Sequence, residues 1–208
     1  MRVKICGITE LAAAQEIVRY GATDLGFICV KKSPRYILPR QIAHITAGLD
    51  ASTSTIGVFA DTAITEIVSI VEQTKLTGVQ LHGQESPQFC QSLRELLPEK
   101  IELLKAFRVK NAQTLQKTSQ YREVVDTLLL DAYHPQMLGG TGHTLDWQDL
   151  VQFTPDLPWL LAGGLNPGNV VAALGQLKPN GIDLSSGVER SPGKKDLTKV
   201  RQLFASLK

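Results

Sequence analysis

Long apolar runs are missing from this chain, and several function classes fall with them. No stretch approaches the eighteen or more consecutive apolar residues that a membrane-spanning helix requires. The first twenty residues carry Arg2, Lys4, Glu10, Glu16 and Arg19, so they hold no apolar core of the kind a secretory signal needs. Cysteine is scarce: Cys6, Cys29 and Cys90 are odd in number and widely spaced, with no CxxC pair, which speaks against a disulfide framework. His44, His134 and His143 form no ligand spacing with any carboxylate, so no metal is expected. Blocks of like charge are absent too. The 22 basic and 20 acidic residues leave a net charge of +2, which implies neither nucleic acid nor a membrane surface as partner. No GxGxxG opens the first helix-like segment, and no linker, low-complexity stretch or close repeat interrupts the chain. The expectation is a reduced cytoplasmic protein folding as one domain over residues 1–208.

What is present alternates. Short aliphatic runs at Val3–Cys6, Asp24–Val30, Thr55–Ala60, Gly78–Leu81, Ile101–Phe107, Thr127–Asp131, Trp159–Ala162 and Gly181–Leu184 read as strands. Amphipathic stretches such as Glu10–Tyr20, Ala63–Thr74, Pro87–Leu97, Asn111–Gln120 and Pro167–Gln176 lie between them. Thr9, Asp61-Thr62 and Asn166-Pro167 stand where helix starts are expected. Strand–helix alternation implies right-handed crossovers and a parallel sheet. Eight such units over 208 residues, about 26 residues each, predict a single small (β/α)₈ barrel of eight parallel strands. An open doubly wound sheet of five or six strands would leave some runs unexplained.

Active sites of such barrels sit at the carboxyl ends of the strands, and the unusual residues gather there. Strand one ends in Lys4-Ile5-Cys6-Gly7, strand two leads to Lys31-Lys32-Ser33-Pro34-Arg35, and strand four ends in Gln80-Leu81-His82. Strand six ends at Asp131, a charge that is costly after Leu128-Leu129-Leu130 unless it has a task or a partner. Gly163-Gly164 after strand seven and Ser185-Ser186 after strand eight read as a phosphate cradle, since glycine lets backbone N–H groups approach an anion closely. A phosphorylated small molecule is the implied ligand. Cys6, facing the mouth, can serve as base or nucleophile if its pKa is lowered, with Lys4, Arg35 or a helix end as the source of positive character. Cys29 and Cys90 read as inert core thiols.

With these residues in place, the sequence resembles the phosphoribosylanthranilate isomerase family over nearly its whole length. The matching segments are KICGIT at Lys4–Thr9, GFICVKKSPRYI at Gly26–Ile37, GVFAD at Gly57–Asp61 and GVQLHG at Gly78–Gly83. They continue with LLLDA at Leu128–Ala132, GGTG at Gly139–Gly142, LAGGLNPGNV at Leu161–Val170 and DLSSGVERSPGKKD at Asp183–Asp196. The resemblance implies an Amadori rearrangement without cofactor, with Cys6 as general base and Asp131 as general acid. It implies Arg35 against the anthranilate ring and carboxylate. Gln80 and His82 read as polar filler or as substrate contacts, and Gly140 and Thr141 as substrate contacts. A monomer is expected, with a homodimer left open. The related isomerase of histidine biosynthesis resembles a two-aspartate design with an aspartate ending strand one, where this chain has Cys6. A non-catalytic sugar-phosphate binding barrel is the other alternative, and it does not account for Cys6, Asp131 and Arg35 together.

Overall fold

The computed structural model describes residues 1–109, 112–131 and 150–208. Its first element, β1 (Arg2–Cys6), is followed by α1 (Leu11–Tyr20), β2 (Asp24–Ile28), α2 (Pro39–Ala47), β3 (Ser54–Phe59) and α3 (Ile64–Thr74). Next come β4 (Gly78–Leu81), α4 (Pro87–Leu96), β5 (Glu102–Arg108), α5 (Ala112–Gln116), β6 (Thr127–Asp131) and β7 (Trp159–Ala162). The chain ends with α6 (Val170–Gln176), β8 (Gly181–Leu184), a short pair of strands β9 (Glu189–Ser191) and β10 (Lys194–Lys195), and α7 (Leu197–Ser206). Strands β1 to β8 pair in sequence order, all parallel, and β8 closes on β1. The eight expected strands are therefore the eight staves of a closed barrel.

Closure divides the apolar residues into two cores, because side chains along each strand alternate between the inside and the outside of the sheet. Ile56, Leu104, Ala106, Leu129, Leu160 and Ala162 form a separate interior cluster. Ile5, Leu25, Phe27, Val79, Leu103 and Ile182 alternate with such positions and pack outward with helix residues such as Ile17, Ile42, Ile67, Leu93 and Leu203. The amino ends of the strands are held by ions. The Arg2 guanidinium bonds Glu102 at 2.6 Å and Asp24 at 2.9 Å, and the Thr127 hydroxyl donates to Glu102 at 2.6 Å. With one end fixed in this way, the carboxyl end is left free for chemistry.

Three helix starts differ from the sequence expectation. Glu10 holds the N-cap of α1, while the Thr9 hydroxyl donates to the Gly193 carbonyl at 2.6 Å, a partner 184 residues away. Ala63 caps α3, and the Asp61 carboxylate instead accepts from the Gln84 backbone N–H at 2.7 Å. Asn169 caps α6, which begins later than Pro167 because Asn166 to Asn169 form a turn whose backbone bond, Asn169 N–H to Asn166 carbonyl, is 3.2 Å. In the first two cases a polar side chain next to a helix serves a neighbouring βα loop. The segment expected as one helix to Gln120 is α5 followed by a 3₁₀ turn over Lys117–Tyr121; Asn111 lies outside the described residues. Among the described residues, no helix is long and apolar enough to cross a membrane.

Candidate active site

At the carboxyl ends of the strands lies a cavity of about 420 Å³, of the size that holds a small organic ligand. Every described residue singled out from the sequence borders it: Cys6, Arg35, Gln80, His82, Asp131, Gly163, Gly164, Ser185 and Ser186. Gly140 and Thr141 lie outside the described residues. Strand register explains the convergence. Residues that end parallel strands reach the same rim, although Cys6 and Asp131 are 125 positions apart in the chain.

Cys6 is buried, at 5% exposure, and its room comes from β2. Gly26 lies beside it in the register, and a Cβ there would fall 2.6 Å from the Cys6 sulfur. Burial pushes the Cys6 thiol up, the Lys4 ammonium pulls it down, Asp183 pushes it up again, and Lys195 adds a downward pull. The net direction is upward, opposite to the lowering expected from sequence. The sequence placed positive charge near the thiol correctly but could not reveal how completely solvent is excluded. Burial likewise raises Cys29 to about 12 and Cys90 to about 11.

Lys4 has 0% exposure and its Nζ donates to Asp183 at 3.0 Å. Arg35 reaches the rim from the loop after β2. Its Nε donates to Glu189 at 3.0 Å and its Nη2 to the same carboxylate at 2.6 Å. Glu189 also accepts from Lys195 at 2.8 Å and from the Gly193 backbone N–H at 3.2 Å. These bonds hold Glu189 below the usual carboxylate range, despite burial that works the other way. Lys195 donates further to the Cys6 carbonyl, and to the Ser185 carbonyl at 3.3 Å, so one ammonium ties the ends of β1 and β8 together.

On the far side of the mouth, Asp131 lies 3.7 Å from His82 Nε2 and pairs in register with Arg108, which also borders the cavity. The Gln80 amide nitrogen lies 2.9 Å from His82 Nδ1. With that nitrogen as donor, Nδ1 accepts and the ring N–H sits on Nε2, toward Asp131. Gln80 Oε1 is buried with no hydrogen-bond partner among the described residues, an acceptor available to a donor in the cavity.

Gly163 and Gly164 adopt φ of +97° and +65°, which turns the backbone after β7 in a way side chains resist. Gly187, in the 3₁₀ turn Ser186–Val188 after β8, packs so closely that a Cβ would overlap the Leu165 carbonyl oxygen. The two loops of the cradle are thus in contact. Among the described residues, no three His, Cys, Asp or Glu side chains gather into a metal site.

Glu189, Lys195, Asp183 and Arg108 were not singled out from the sequence. Asp183 and Arg108 had a signal, as charges at or beside the ends of strands eight and five. Glu189 and Lys195 lie on the β9–β10 pair around Ser191-Pro192-Gly193, whose turn composition is legible but whose return across the mouth of β1 is not.

The comparisons with known proteins agree with this geometry. The family model described as N-(5′-phosphoribosyl)anthranilate (PRA) isomerase matches residues 3–206. The N-(5′-phosphoribosyl)anthranilate isomerase of Rippkaea orientalis is 58% identical over 207 residues, spanning 100% of this chain and 96% of that protein. The crystal structure of phosphoribosyl anthranilate isomerase from Thermotoga maritima is similar at a TM-score of 0.88 and 36% identity, covering 99% of this chain and 98% of that one. Another, in complex with reduced 1-(o-carboxyphenylamino)-1-deoxyribulose 5-phosphate, gives 0.84 at 34% identity, covering 99% and 97%. This chain belongs to the N-(5′-phosphoribosyl)anthranilate isomerase family, the isomerases of tryptophan biosynthesis.

Proposed function

We propose that this chain performs the reaction of its family at the barrel mouth, with Asp131 as general acid and Cys6 as general base. N-(5′-phosphoribosyl)anthranilate is rearranged to 1-(2-carboxyphenylamino)-1-deoxyribulose 5-phosphate. The observation that carries the assignment is that a thiol ending β1 and a carboxyl ending β6 border one cavity whose rim also holds the β7 and β8 loops. Backbone N–H groups near Gly163, Gly164, Ser185 and Ser186 take the phosphate. Arg35 takes the anthranilate. Two of its nitrogens are held by Glu189, and Nη1 has no partner among the described residues, so a guanidinium edge remains for a carboxylate. His82 and Gln80 contact the substrate, and Gly140 and Thr141 are read as substrate residues from the sequence alone.

The proton traffic balances with these two groups. Asp131 protonates the ring oxygen as the C1′–O bond breaks, and the nitrogen lone pair forms the C1′=N bond. Cys6, as thiolate, removes the C2′ proton; the C–H pair becomes C1′=C2′ and the iminium pair returns to nitrogen. The enolamine then tautomerises to the ketone. No net electrons leave the substrate, so the reading includes neither a redox cofactor nor a metal. It places the enzyme in the cytoplasm as one catalytic domain, a monomer unless a homodimer forms.

Removing a general acid or base costs about 10²–10⁴ in rate. Cys6→Ala and Asp131→Asn are each expected to lose that much in kcat, with KM little changed, in a fluorescence assay of substrate consumption. Near-normal turnover in either variant ends that residue's assignment.

A further inference from the structure

Lys4 is among the largest of the fully buried side chains in the described residues, and the proposed chemistry gives it no step. An ammonium at 0% exposure inside a barrel is expensive before its partners are counted. Stability alone does not ask for it there, since well-packed apolar residues of similar volume usually replace a buried ion pair without loss. The direction of the side chain is informative. Lys4 is in register with Asp24 on one side and Asp183 on the other. Asp24 is taken by Arg2 at the closed end. Lys4 reaches instead for Asp183, which borders the cavity together with Cys6, and Cys6 stands two positions along the same face of β1.

We propose that Lys4 is a positioning residue for the isomerisation: its ammonium, anchored by Asp183, is the counter-charge that lets Cys6 exist as a thiolate in a site closed to water. The inference rests on Cys6 being the base. Charged or titratable groups approach Cys6 from each packed element: Lys4 from β1, Asp183 from β8, Lys195 from β10, and Arg35 and Cys29 from the loop after β2. Lys195 has its bonds directed to two carbonyls and to Glu189, and Arg35 is neutralised by Glu189. Lys4 exerts the largest downward pull on the thiol, and its bond to Asp183 holds it while Asp183 opposes part of that effect.

The test is the pH dependence of Cys6 alkylation by iodoacetamide, followed by peptide mass mapping so that Cys29 and Cys90 are scored separately. Only the thiolate reacts, so the rate midpoint reports its pKa. Lys4→Met is expected to move the Cys6 midpoint up by at least about one unit, a tenfold slower alkylation at a given pH below it. The acid limb of kcat/KM should move the same way while KM changes less than about threefold, and Lys4→Arg should keep most of the native profile. Lys4→Gln, which keeps a donor for Asp183 but not the charge, gives an independent reading if Lys4→Met does not fold. It should move the Cys6 midpoint up, whereas general loosening of the barrel, by letting water reach the thiol, would move it down. A folded Lys4→Met whose two profiles coincide with the native ones overturns the inference, as does an unmoved or lowered midpoint in Lys4→Gln. Cys6→Ala separates the failures: if it retains turnover, the base assignment is wrong, whereas an inactive Cys6→Ala with an unmoved Lys4→Met profile leaves the assignment and removes only the role of Lys4.

Discussion

Arg35 and Glu189 form a pair in which the acid does the aiming. Two guanidinium nitrogens bond one carboxylate that is 3% exposed, which fixes the plane of the cation and leaves its remaining edge toward the cavity. Arg35→Ala should therefore raise KM more than it lowers kcat, and Arg35→Met should be as harmful, since charge and not volume is lost. Glu189→Gln should raise KM in the same direction but by less, because the guanidinium survives with its aim loosened. Steady-state kinetics on the three variants decides the matter. A Glu189→Gln enzyme with native KM would mean that Arg35 finds its place without help. The expectation of a lowered Cys6 pKa shows the limit of reasoning at this scale. Lys4 is visible two positions before Cys6 in the sequence, but the burial that outweighs it exists only when eight strands close around both.

Elements, not residues, make the loops proposed for phosphate. The turn after β7 and the 3₁₀ turn after β8 meet where Gly187 lies against the Leu165 carbonyl, so a methyl there must push two backbones apart. Gly187→Ala is expected to cost about 1–3 kcal/mol through overpacking. For a chain of this size that is a Tm lower by very roughly 2–12 °C, together with weaker inhibition by inorganic phosphate. Gly175 supplies the control. It sits in α6 with nothing within 4 Å of a built Cβ, so Gly175→Ala should be neutral or stabilising by up to about 1 kcal/mol. Equal Tm losses in the two variants would show that the crowding at Gly187 is not what matters. Helix starts were the least legible elements. Thr9 and Asp61 have the composition of caps, but their bonds go to Gly193 and Gln84, partners that folding brings near and sequence distance hides.

For the whole molecule, the buried ions set the response to acid. Glu189 is held below the usual carboxylate range while burial opposes this, its bonds to Arg35 and Lys195 prevailing. Its unfolded counterpart titrates near about 4.3. The stabilisation is then complete above the unfolded value and is lost as pH falls through the folded one. Thermal unfolding of Glu189→Gln should begin from a lower Tm at neutral pH and fall less steeply than the native protein in strongly acid solution. Curves that fall in parallel would remove Glu189 as a source of the acid sensitivity.

Strand number, parallel order and the position of the site at the carboxyl ends were fixed by local pattern. Eight aliphatic runs, each followed by a helical segment, leave one economical closure, and polar residues that end apolar strands must lie at one rim. Cys6, Asp131 and the Gly163-Gly164 turn stand out for that reason. Tertiary structure alone decided which charges meet. Lys4 to Asp183 and Arg35 to Glu189 span 179 and 154 positions, and Lys195 reaches the Cys6 carbonyl across 189. Those pairings depend on β8 closing against β1 and on the β9–β10 strands returning over the mouth, and a linear pattern carries no term for either contact. The same closure removes water from the thiol. The strength of the proposed base is thus a property of the closed barrel, while the thiol proposed for it stands out within the first six residues.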